Sequence, residues 1–121
     1  MMPPMRKHLF IFCGVAIAAC GGSYPEPREA ATATEAAVRS AQEVGADKDP
    51  SATLHLKYAK DQSDEAKKHV ADGDNHRAEM VLARAKSDAE LALMMAKAHN
   101  HTVEAEKAEA EVAEKRKKLG K

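Results

Sequence analysis

Asp72, Gly73 and Asp74 are the tightest punctuation in a chain that otherwise repeats small apolar residues every three or four positions. Glycine at this place closes one helix and Asp74 caps the next, leaving almost no loop between them. So short a link forces the flanking helices into an antiparallel hairpin. A second break precedes it, where Gly45 is set to stop a helix as the residue just past its end. Asp49 then serves as N-cap, and Pro50 takes the first helical position, where its missing N–H costs nothing.

The stripes between these breaks give three helices. The first, from Glu29, carries Ala30, Ala33, Ala37, Ala41 and Val44. The second, to about Asp72, carries Ala52, Leu56, Ala59, Ser63, Ala66 and Val70, with Leu54 and Tyr58 widening the apolar face and Asp64 spaced to pair with Lys68. The third carries Ala78, Val81, Leu82, Ala85, Ala89, Ala92 and Ala96, reinforced by Leu91, Leu93, Met94 and Met95. Tryptophan is absent and aromatics are 3% of the chain, so bulky side chains cannot fill the interior. Facing alanines compensate by letting helix axes approach to about 8 Å. The expected fold is all-α: a small antiparallel, up-down-up three-helix bundle with a long C-terminal helix.

Residues 99–121 keep helix formers but lose large apolar residues, leaving Ala105, Ala108, Val112 and Leu119 as a thin stripe. Glu111 with Lys115 and Glu114 with Lys118 are spaced for ion pairs, and Lys115, Arg116, Lys117 and Lys118 complement the negative end of the helix dipole. A helix running from Asn75 to Leu119 would be about 65 Å long, roughly twice the second helix. His99, Asn100, His101 and Thr102 are its expected weak point.

The other end gives an address. Arg6 and Lys7 precede an uncharged apolar run over residues 9–19, too short for a spanning helix of about 20 residues and the size of a secretory leader. Ile17, Ala18, Ala19 and Cys20 resemble the lipobox of bacterial lipoproteins. That resemblance implies cleavage between Ala19 and Cys20, diacylglyceryl lipidation of the Cys20 sulfur, and membrane attachment through that lipid. Gly21 after the cysteine fits export to the outer membrane in lipoproteins of this type. With Cys13 leaving in the leader, Cys20 would remain alone, so no disulfide is available in an oxidising compartment. The expected organisation is a signal peptide at 1–19, a lipidated cysteine and glycine- and proline-bearing tether at 20–28, an alanine-rich helical domain at 29–98 and a charged extension at 99–121.

Charge and motifs narrow the function. The chain holds 19 basic and 19 acidic residues, and loss of Arg6 and Lys7 with the leader leaves 17 against 19. A near-neutral chain lacks the concentrated basic face by which proteins bind nucleic acid. Histidines 99 and 101 stand two apart, about 200° around a helix, and His55, His69 and His76 are scattered, so no metal set forms. No serine-histidine-acid spacing, phosphate loop or aromatic pocket marks catalysis. The expectation is a non-enzyme without cofactor.

Residues 73–92, GDNHRAEMVLARAKSDAELA, with Asp74, Ala78, Val81, Ala85, Asp88, Ala89, Leu91 and Ala92 in place, resemble the helical lipoprotein family catalogued as domain of unknown function 4398. The resemblance covers about residues 30–98 and implies a bacterial envelope lipoprotein whose alanine-rich domain sometimes precedes a peptidoglycan-binding module. This chain departs by carrying no second module and by having Asn75 where an aromatic is often seen. Lys115, Arg116, Lys117, Lys118 and Lys121 are candidate wall contacts, and the terminal lysine resembles the one joining the major outer-membrane lipoprotein of enteric bacteria to peptidoglycan. The expected role is a periplasm-facing structural or interaction module binding peptidoglycan or a periplasmic protein. A rival expectation is a homo-oligomeric coiled-coil spacer between outer membrane and wall; a third is a metal or small-ligand carrier.

Overall fold

The computed structural model describes residues 23–120. They form α1 (Arg28–Val44), α2 (Pro50–Ala71) and α3 (Asn75–Lys118), and among the described residues there is no strand. The order is up-down-up: Thr34 of α1 meets Leu82 of α3 and Val44 meets Asn100, so α1 and α3 run in parallel, while α2 returns between them in sequence. α3 is the axis of the molecule. Both other helices pack on it far more than on each other.

The helix ends follow from the punctuation. Gly45 takes a left-handed φ of +89°, its N–H donates to the Gln42 carbonyl and that of Ala46 to the Ala41 carbonyl, which is the Schellman arrangement. Ala46 is thereby turned inward and fully buried. Asp49 accepts from the Ala52 N–H at 2.7 Å, with Pro50 behind it at the first helical position. Gly73 repeats the Schellman pattern at φ +79°, and Asp74, whose N–H donates to the His69 carbonyl, also caps α3 by accepting from the Arg77 N–H at 3.2 Å. One residue therefore ends one helix and begins the next.

The interior is alanine. Ala52, Leu56, Ala59 and Ala66 of α2 face Ala78, Val81, Leu82, Ala85, Ala89, Ala92 and Ala96 of α3, all buried, at the positions the spacing predicts. The expectation differs from the structure on α1, where Thr34 and Ala41 are the buried residues and Ala33 and Ala37 are only half-buried. The helix rotates so that Thr34 can place its hydroxyl 2.8 Å from the Ala30 carbonyl and 3.1 Å from that of Leu82, which satisfies a polar group inside the interface.

Four further expectations are corrected. Leu91 and Met94 do not reinforce the core; they are 40% and 62% exposed, because they lie on the side of α3 turned away from both partners. Leu54 and Tyr58 likewise face outward on α2. Asp64 pairs with Lys67 at 2.9 Å instead of Lys68. And α3 passes through residues 99–102 unbroken, because Asn100 donates from Nδ2 to the Val44 carbonyl at 3.0 Å and His99 lies 3.8 Å from the Asp49 carboxylate. Asn100 is thereby fastened to the end of α1, which removes the reason for a break.

Candidate functional site

Packing against α3 ends near residue 103, and from 104 to 120 every residue is exposed. α3 has 44 residues against 22 in α2, so its last turns stand clear of the bundle. A helix without tertiary support draws on propensity and local pairs. The sequence supplies alanine, glutamate and lysine here, and Lys118 reaches Glu114 at 2.6 Å.

Lys115, Arg116, Lys117 and Lys118 form the last turn of α3, where their charge offsets the unsatisfied carbonyls. Only the Lys118 pair of the two expected is formed; Lys115 and Glu111 are not joined at ion-pair distance. Val112 and Leu119 stand exposed among these charges. The segment presents a mixed-charge surface with two aliphatic side chains, suited to binding a partner by contact. Ala19, Cys20 and Lys121, the expected cleavage, lipidation and crosslinking positions, lie outside the described residues.

At the opposite end of α3 the chain before α1 is tied down from Tyr24 onward. The Tyr24 carbonyl accepts from Asn75 Nδ2 at 2.8 Å, its ring meets the His76 ring edge-on at 5.0 Å, and its hydroxyl donates to the Glu79 carboxylate. That hydrogen bond, then partial desolvation, then the charge of Glu79, hold the phenol above its ordinary value. A chain entering beside Asn75 leaves the basic turn at the far end of α3.

Two other places were not legible in the sequence. Between α2 and α3, Asp88 accepts from Gln62 Nε2 at 2.7 Å and lies 2.8 Å from His55 Nδ1, a three-residue polar link at the rim of the core. His55 and Gln62 share one side of α2 by their seven-residue spacing, but nothing in sequence fixes which acid of α3 stands opposite. Between α1 and α2 a groove of about 440 Å³ opens over Ala31, Ala66, Val70 and Leu82, rimmed by Glu35 and Lys67. It exists because α1 and α2 scarcely touch. Among the described residues no three histidine, cysteine or acidic side chains gather as a metal site, and no helix is long and apolar enough to cross a membrane.

Comparison with family models, curated proteins and solved structures finds no match to this chain.

Proposed function

We propose that this chain is a lipid-anchored lipoprotein of a bacterial cell envelope, facing the periplasm, that works without catalysis as an interaction module. The observation that carries the reading is the length of α3 beyond its bundle, with residues 104–120 exposed on every side. A helix kept free of the fold, yet built of strong helix formers and the Glu114–Lys118 pair, has the form of a contact element. The lipobox-like Ile17, Ala18, Ala19 and Cys20 supports anchoring at the other end, and two or three acyl chains make such an anchor effectively permanent. The resemblance of residues 73–92 to the alanine-rich envelope lipoproteins points the same way. In this reading Lys115, Arg116, Lys117 and Lys118 meet anionic groups of peptidoglycan or of a periplasmic protein.

Cosedimentation with purified peptidoglycan sacculi, and capture from envelope extracts, are the tests, each run with the whole chain and with a chain lacking residues 108–121. Binding lost on deletion is the expected result. Equal binding by both chains rejects the projecting segment as the contact.

A further inference from the structure

We infer that the outward face of α3 is a docking surface for a second copy of this chain, laid antiparallel. The inference deepens the reading of α3 as a contact element by naming one occupant. The exposed large apolar residues of α3 and its C-cap are Met80, Leu91, Met94, Val112 and Leu119. Leu91, Val112 and Leu119 are separated by multiples of seven residues, as are Met80 and Met94, and Met94 follows Leu91 by three. All five therefore fall on the a and d positions of a single heptad register, with Ala98, Ala105 and Ala108 filling positions between them.

This seam is separate from the core. Ala85, Ala92, Ala89 and Ala96 occupy other positions of the same heptad, about 150° around the helix. The side of α3 that meets α2 is marked by Asp88 against His55, leaving the seam uncovered along its length. On a straight helix such a stripe drifts by about 20° per heptad, so a partner helix follows it only by winding around it, which is coiled-coil geometry.

Charge selects the partner and its direction. The positions flanking the a residues are Glu90, Lys97, Glu104, Glu111 and Lys118. Read against its own reverse, this series sets Glu90 opposite Lys118 and Lys97 opposite Glu111, each pair occurring twice by symmetry, with Glu104 alone facing its like. The same register lays Val112 beside Met94 and Ala98 beside Ala108, and it overlaps residues 87–119 over about 50 Å. A parallel pairing instead stacks Lys115 on Lys115 and Arg84 on Arg84 inside the seam, and its flanking charges give one repulsive pair, Glu104 with Glu109, against one attractive pair, Glu111 with Arg116. In the antiparallel dimer the projecting turns of each copy lie along the bundle of the other, so the two anchored ends are at opposite ends of the pair and the dimer lies along the bilayer, whereas the monomer points its basic turn away from it.

The test is sedimentation equilibrium and disulfide cross-linking of the processed, lipid-bearing chain in density-matched detergent micelles; in the proposed reading Cys13 leaves with the leader and the Cys20 sulfur carries the lipid, so no native thiol competes. A concentration-dependent dimer is expected; M94E or V112E should raise its dissociation constant by at least about tenfold while leaving helicity and the unfolding midpoint unchanged at protein concentrations below that constant, since neither side chain is in the core. E111K should weaken the dimer, and the double exchange K97E with E111K should restore it to within about twofold. Oxidation should link E104C to itself, near the two-fold axis, and should not link L119C. A monomer at every concentration, or linkage of L119C without E104C, overturns the proposal. Binding to sacculi is measured separately, so either result can fail without the other.

Discussion

Thr34 carries a hydroxyl into an interface otherwise lined by alanine, and its oxygen sits between two carbonyls, one on its own helix and one on α3. Replacing it by valine keeps the shape and removes only the hydrogen bond, so Thr34→Val should lower stability by about 1 kcal/mol in urea unfolding. No loss would mean that packing alone sets the rotation of α1. Tyr24 makes a second residue-scale test. Its phenol is held above the ordinary tyrosine value of 10.0 by donating to Glu79. The contribution is complete below that ordinary value and disappears as pH rises through the raised one. Tyr24→Phe should therefore flatten the alkaline end of the stability profile, read as the unfolding midpoint between neutral and strongly basic pH. Both residues escape sequence reading for the same reason. Threonine is an indifferent helix residue until the carbonyl across from it is known, and Tyr24 lies in a segment whose glycines and prolines read as a tether.

Among the elements, α2 and the first half of α3 are legible because each carries its apolar residues at strict three- and four-residue steps, and the predicted stripe is buried at Ala52, Leu56, Ala59 and Ala66, half-buried at Ser63 and Val70, and buried from Ala78 to Ala96. The helix boundaries are legible too, since Gly45, Asp49, Pro50, Gly73 and Asp74 each have one conformational use there. Leu91 and Met94 mislead because hydrophobicity says that a side chain prefers cover, and only the rotation of the helix says whether it receives any. Residues 99–102 mislead because Asn100 is a poor helix former until the free carbonyl of Val44 is brought within 3.0 Å. The close alanine packing has a direct consequence. Ala85 is fully buried. Ala85→Leu should cost about 1 to 3 kcal/mol by forcing the helices apart, measured as a lowered thermal midpoint, whereas a stabilised variant would show that the interface holds unfilled space.

At the scale of the whole molecule, the chain divides into a part that folds against itself and a part that does not. α1, α2 and the first 29 residues of α3, 75–103, pack together around two buried clusters, and the turns beyond are exposed on every side. The charge at the two ends of α3 differs as well, with Asp74 capping the start and four consecutive basic residues closing the end. A helix built in this way extends a surface away from its own fold and offers reach and contact instead of a pocket. The direct measurement is urea unfolding followed by circular dichroism, at a protein concentration low enough that the monomer dominates, comparing the whole chain with one ending at Lys107, a turn beyond the last half-buried residue. An unchanged midpoint, with helical signal reduced by the share of the deleted turns, is the predicted result. A midpoint that falls on deletion would show that the projecting turns belong to the fold, and the account of α3 as a free contact element would be contradicted.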